Sequence, residues 1–226
     1  MTNQGHILIL GDSVFDNHRY IGKKEKDGEA RMLDALPNYH QTFLALDGAR
    51  TNDVPKKQLK YIKEAVKTNG PITDIVMSIG GNNLLQEAAL LGVKTKDVMG
   101  GLSLFRTRQE QFSKDYSKML LSIKPHIEFE TRWHILGIYY PCYSAPQDFP
   151  TRRFPTDMHF QNASRLGVDL FNSVIKQQID DKDYIDLNHL FHYGDNKRYY
   201  ANPIEPSSEG SRVIAEVIKP RIEGGK

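Results

Sequence analysis

The sequence predicts a three-layer α/β/α sandwich around a parallel sheet of about five strands, treated as one domain over residues 1–226. Three observations point there. Strand-like and helix-like runs alternate from end to end, which favours a parallel sheet covered on both faces. Ile7-Leu8-Ile9-Leu10 is an unbroken apolar run, the pattern of a strand buried on both sides. Short polar motifs then follow several strands directly, at the carboxyl edge where open α/β sheets bind their ligands.

The strands are expected at 6–10, 42–46, 74–79, 133–139 and 184–187. Helical patterns lie near 28–36, 56–68, 84–92, 105–123, 160–179 and 207–218. Asn69-Gly70-Pro71 stops the second helix, with glycine as terminator and proline preventing continuation. Ser207 is a suitable N-cap for the last one. The segment 140–158 is the longest irregular stretch and holds Pro141, Pro146, Pro150 and Pro155. Loops of that length often cover a binding site. Arg152 and Arg153, flanked by Phe149 and Phe154, would then face an acidic or sugar ligand, or form an exposed charged loop.

Composition narrows the function. Thirty basic residues oppose 28 acidic ones, a net charge of +2, so no whole-protein field favours nucleic acid or a membrane surface. No apolar run approaches the ~20 residues of a membrane-spanning helix. Cys142 is the only cysteine, which excludes an internal disulfide and a cysteine-based zinc site and favours a reducing compartment. The first strand begins near the amino terminus and leaves no room for a leader, so a cytoplasmic address is expected. The composition does not bear on oligomeric state. Asp186, His189, His192 and Asp195 are close in sequence, but a His-x-x-His spacing on a strand end puts the rings on opposite faces, so no metal is expected there. Neither a Gly-x-Gly-x-x-Gly turn nor a phosphate-binding Walker loop is present, and the Gly-x-Ser-x-Gly elbow is also missing.

The strand-end motifs carry the chemistry. Gly11-Asp12-Ser13 follows the first strand, Asp47-Gly48-Ala49 the second, and Gly80-Gly81-Asn82-Asn83 the third. Asn202-Pro203-Ile204-Glu205-Pro206-Ser207 precedes the last helix. In this order and spacing the blocks resemble those of the GDSL, or SGNH, hydrolases across essentially the whole chain. Those enzymes carry a Gly-Asp-Ser turn, a glycine in a second block, Gly-x-Asn-Asp in a third, and Asp-x-x-His near the carboxyl end. The resemblance implies that Ser13 is the nucleophile. It also implies that the Gly48 amide, the Asn82 side chain and the Ser13 amide form the oxyanion hole. Fixed donors are needed where charge develops on the carbonyl oxygen, and losing one typically costs ~2.7–4 kcal/mol of barrier. Asp12, Asn83, Tyr139 and Tyr140 are the expected substrate-binding residues. The implied activity is hydrolysis of a small ester, such as an O-acetyl group on a carbohydrate or a short acyl ester, without a cofactor.

The fourth block departs from the family pattern. Asn202 stands in the aspartate position and Glu205 in that of the catalytic histidine, while Asn83 replaces the usual aspartate of the third block. A neutral histidine beside an ionised aspartate and a neutral asparagine beside an ionised glutamate carry the same charge. Keeping the aspartate beside a glutamate would instead have raised one carboxyl pKa sharply. Glu205 is therefore the expected base for Ser13, oriented by a hydrogen bond donated from Asn202. Its ordinary pKa lies about two units below that of histidine, a deficit of roughly 3 kcal/mol in proton affinity, which burial would partly recover. Two alternatives stay open. The site binds an ester or carbohydrate without turnover, or His18, His189 or His192 has moved in as the base.

Overall fold

A computed structural model describes residues 4–87, 96–128, 130–146 and 158–224. The elements in chain order are β1 (His6–Gly11), α1 (Gly28–Ala35), β2 (His40–Phe43), α2 (Ile62–Asn69), β3 (Asp74–Ser78), α3 (Gly81–Glu87), α4 (Val98–Ile123), β4 (Arg132–Leu136), α5 (Met158–Gln177), β5 (Tyr184–Ile185), α6 (Leu187–Leu190), β6 (Tyr200–Asn202), β7 (Glu205–Pro206) and α7 (Ser208–Glu223). Five parallel strands run β2-β1-β3-β4-β5, so β1 and β3 lie inside the sheet and bring their carboxyl ends side by side.

The apolar run of β1 explains the three layers. Successive side chains of a strand point to opposite faces. Ile7 and Ile9 enter one core with Met32 of α1 and Ile214, Ile218 and Ile222 of α7. Leu8 and Leu10 enter the other with Phe112, Tyr116, Met119 and Ile123 of α4 and Val174 and Ile175 of α5. All four β1 residues are fully buried. This is the expected α/β/α sandwich.

Local signals account for most boundaries. Asp27 caps α1 through a bond from the Ala30 amide (2.8 Å), and Ser207 caps α7 through the Gly210 amide (3.1 Å). Gly70, at φ +83°, ends α2 as the Asn-Gly-Pro sequence requires. Other boundaries shift. β2 starts at His40 and stops at Phe43, because an edge strand with one neighbour tolerates the polar His40, Gln41 and Thr42. Leu44 and Leu46 still donate to Ile9 and Gly11 beyond its regular end. β4 stops at Leu136 because the Asn172 side chain takes both the Ile138 amide (2.8 Å) and its carbonyl (2.7 Å). β5 ends at Ile185, since Asp186 caps α6.

The helix expected at 56–68 is composite. Val54–Gln58 forms a wide π-turn and Leu59–Tyr61 a tight 3₁₀ turn before α2 begins. α4 starts seven residues earlier than the periodicity indicates, at Val98, capped by Asp97. α7 continues through Pro220 to Glu223, because the fully buried Ile222 rewards the extra turn. The β6–β7 hairpin is absent from the sequence reading. Residues 88–92 of the third expected helix and the 147–157 portion of the long loop, with Phe149, Arg152, Arg153 and Phe154, lie outside the described residues. No helix among the described residues is long and apolar enough to cross a membrane.

Leu10 is the β1 side chain nearest the polar turn and is 0 % exposed. Leu10→Ala should lower unfolding free energy by about 2–5 kcal/mol in urea titrations, the range for a fully buried leucine. A loss below ~1 kcal/mol would contradict this packing.

Candidate active site

The Gly-Asp-Ser turn leaves β1 through Gly11, which has φ +126°; a Cβ there would sit 1.9 Å from the Ser78 carbonyl oxygen. Only glycine fits that approach. The Gly11 amide donates to Gln58 Oε1 (3.0 Å), and Gln58 Nε2 returns a bond to the Gly11 carbonyl (2.7 Å). Gln58 thus acts as a short surrogate strand beside the end of β1. Asp12 closes the turn. Its carboxylate accepts from the Val14 amide (3.2 Å) and the Ser78 hydroxyl (3.2 Å). Ser13 follows, nearly buried, at the carboxyl edge of the sheet.

Glu205 arrives on the hairpin from the other end of the chain. Asn202 Oδ1 accepts from the Ile204 amide (3.0 Å) and the Glu205 amide (3.1 Å), closing an Asx-type turn. Asn202 therefore orients Glu205 through the main chain, not by the expected donation to its carboxylate. Tyr139 fastens the same turn by donating to the Ile204 carbonyl (2.6 Å), and its ring stacks on Phe191. Asn17, fully buried, joins the two halves. Its Nδ2 donates to the Pro206 carbonyl (2.9 Å) and to Ser211 Oγ (3.0 Å), while its Oδ1 accepts from the Gly28 amide (2.8 Å). The loop after β1 and the hairpin are pinned together by one amide.

Ser13 and Glu205 line the same cavity. Burial pushes the Glu205 carboxyl up to about 8; the nearby Ser13 hydroxyl opposes that shift, and the negative charges of Asp12 and Asp47 add to it. Oε2 of Glu205 is buried with no protein partner among the described residues. Burial also raises Asp12, to about 7, against the lowering bonds from Val14 and Ser78. A carboxyl tuned toward neutrality inside a cleft is a recognised mark of a functional site.

Asp12, Ser13, Asn82, Tyr139 and Glu205 line one cavity at the sheet edge. Gly48, Asn83, Asn202 and Tyr140 do not line it. Gly48, at φ +75°, stands on the adjoining loop, where Asn82 Nδ2 donates to the carbonyl of the next residue, Ala49 (3.1 Å). Among the described residues, neither the Ser13 nor the Gly48 amide donates to a protein acceptor. Asn83, expected at the substrate, is spent on Thr51, accepting from its amide (3.1 Å) and donating to its hydroxyl (3.0 Å). Tyr140, also expected there, turns away because its hydroxyl donates to Asp169 (2.5 Å) and its amide to Asn188 (2.6 Å).

No imidazole lines the cavity among the described residues. His18 pairs with Asp16 (2.9 Å) on the exposed rim, and His189 is exposed beside Tyr193 (3.4 Å). His192 lies near the Tyr199 ring, outside the cavity lining. Among the described residues no group of three or more histidine, cysteine or acidic side chains is arranged to hold a metal. Asp186, from the cluster noted in the sequence, caps α6 through the Asn188 amide (2.9 Å).

Solved structures of similar fold include a lipase, a phospholipase and an acetylxylan esterase. A lipase from a goat-rumen metagenome superposes with a TM-score of 0.68 at 21% identity, covering 96% of this chain and 97% of that one. Phospholipase A1 from Streptomyces albidoflavus gives 0.63 at 16% identity, with 98% and 99% covered. A catalytic mutant of an acetylxylan esterase from Geobacillus stearothermophilus gives 0.60 at 15% identity, with 98% and 95% covered. The likeness is one of fold. No protein-family model matches the chain, and the comparison with curated proteins gave no match.

Three residues around the site carry no sequence signal: Asn17, Gln58 and Tyr20. The first two are isolated polar residues whose partners lie far along the chain, 189 residues away for the Asn17–Pro206 bond and 47 for Gln58–Gly11. Asp47 accepts from the Tyr20 hydroxyl (2.8 Å) and from Arg19 (3.0 Å), and its amide donates to Asp16 (2.7 Å).

The raised Glu205 carboxyl makes stability depend on pH with a definite sign. Below about pH 4.5 both folded and unfolded chains hold the proton, and its stabilising contribution is complete. Between 4.5 and about 8 only the unfolded chain loses the proton, so stability falls as pH rises. Melting scans of wild type and Glu205→Gln should diverge across that window, the variant gaining relative stability up to about pH 8. A difference that stays constant with pH would contradict the assignment.

Proposed function

We propose that this protein is a serine hydrolase of carboxylic esters in which Glu205 takes the place of the usual histidine. The observation that carries the reading is that Ser13 and Glu205 line one cavity at the sheet edge, where burial raises the Glu205 carboxyl. Fold likeness to esterases and lipases supports it.

In this reading Ser13 Oγ attacks the ester carbonyl as its proton passes to ionised Glu205. The Ser13 amide and the Asn82 side chain, both at the cavity, receive the negative charge on the carbonyl oxygen. The tetrahedral adduct collapses, the C–O bond to the alcohol breaks, and Glu205 returns the proton to the departing oxygen. A water then attacks the acyl-serine and gives its proton to Glu205, which passes it to Ser13 Oγ as the acid leaves. Burial serves the base role, because a carboxyl near 8 holds a proton far better than an ordinary glutamate. The cost is that the base must ionise first.

A second reading, binding of an ester or carbohydrate without turnover, is favoured by the same pair of numbers. With Asp12 near 7 and Glu205 near 8, much of the site is protonated at neutral pH. Labelling by a serine-reactive fluorophosphonate separates the two, since only an activated serine reacts.

Activity on para-nitrophenyl acetate should rise with pH and level off above about 8, following ionisation of Glu205. Ser13→Ala should abolish it, and Glu205→Gln should lower kcat by at least about 100-fold, the scale of a lost general base. Equal turnover by all three proteins would overturn the assignment. Saturable ligand binding with no turnover and no labelling would favour the second reading.

A further inference from the structure

The cavity at Ser13 adjoins a second one between α3, α4 and α5, and the two share Leu84, Leu85, Pro141, Val168 and Ile204. Phe105, Phe160, Ala163 and Phe171 complete the second cavity's apolar wall. Most of its polar groups already have partners. Glu87 and Arg108 form an ion pair (3.4 Å), though Arg108 Nε makes no hydrogen bond; Gln109 donates to Ser173 behind the wall (3.2 Å), and the Tyr143 and Ser164 hydroxyls bond each other (2.6 Å). The lining is otherwise apolar. Hydrocarbon suits such a space, because it asks for no hydrogen bonds and gains from leaving water.

Where the cavities adjoin, α5 carries Gly167 in its interior. Helix propensity disfavours glycine there, so a packing reason is expected. One is present: a Cβ at this position would lie 3.0 Å from Leu84 Cδ1, pressing it out of place at the junction. The helix from Phe160 to Val168 also sets the scale. Those residues rise roughly 12 Å along α5, several times the reach of an acetyl group.

We propose that the two cavities form one acyl track, with the ester carbonyl at Ser13 and a medium-length hydrocarbon chain running between α3 and α5. The carbonyl end rests on the ester-hydrolase reading; the apolar track does not. The preferred substrate is then an ester of a medium-chain fatty acid, not the O-acetyl or short acyl ester expected from the sequence. Each methylene that enters the track raises affinity by roughly three- to four-fold.

The test uses Ser13→Ala protein, in which no turnover can occur, and two methyl ketones as probes. Calorimetry should show nonyl methyl ketone binding at least 100-fold more tightly than ethyl methyl ketone. Ala163→Trp, in the same background, should weaken the long ketone at least tenfold. Gly167→Leu, which narrows the junction, should do likewise, and melting scans confirm that each variant folds. Equal binding of the two ketones, or long-ketone affinity unmoved by both folded variants, overturns the track. In parallel, Ser13-containing protein should cleave para-nitrophenyl octanoate with a kcat/KM at least tenfold above that for the acetate, and Ala163→Trp should erase the preference. Chain-dependent ketone binding without cleavage of any ester upholds the track and overturns the hydrolase reading. Ester cleavage without chain-dependent binding does the reverse.

Discussion

A single buried amide holds the two ends of this chain in register. Asn17 bonds the Pro206 carbonyl and the Ser211 hydroxyl with one group and the Gly28 amide with the other. Everything proposed for the site depends on that brace, because Ser13 and Glu205 reach the cavity on segments that share no secondary structure. Each buried group left unpaired would cost about 1–3 kcal/mol, so the three bonds together make a displaced hairpin unfavourable. Gln58 does a similar job at the end of β1, and Tyr139 at the hairpin tip. Asn17 and Gln58 act from outside the cavity lining, Tyr139 from within it.

The chemistry follows from placing carboxyl groups in this enclosed edge. Water is largely excluded, so ionisation of Glu205 and Asp12 is disfavoured, and the charges of Asp12 and Asp47 make the surroundings of Glu205 more negative. A glutamate that would be too weak a base in water is thereby brought close to the range in which histidine works. The same burial limits it. The proton that gives the pair its strength must leave before the pair can act, which places optimal function on the alkaline side. The hairpin turn shows how the substitution at 202 fits. Asn202 accepts from two main-chain amides and adds no third charge beside Asp12 and Glu205.

The sheet and its layers were legible in the sequence because they rest on local pattern. Ile7–Leu10 reads as a doubly buried strand, and Ser207 and Asn69-Gly70-Pro71 mark helix ends through their own geometry. The strand-end motifs lie along one edge of the sheet for the same reason. Asn83 and Tyr140 were less legible. Both are the right residue type in the right block, yet Thr51 in one case and Asp169 and Asn188 in the other claim their polar atoms. Such claims come from tertiary neighbours and leave no trace at the position itself. The β6–β7 hairpin was hidden similarly, since its strands are two and three residues long and carry no readable alternation.

The account turns on a Glu205 carboxyl, raised by burial, that shares a cavity with the Ser13 hydroxyl. The most direct measurement is a carbon-13 NMR titration of the Glu205 carboxyl in wild type and in Ser13→Ala. It should show a midpoint near pH 8 in wild type, moving higher in the variant, where the hydroxyl that favours the ionised form is gone. A midpoint in the ordinary range of glutamate, or one that ignores the loss of Ser13, would contradict it.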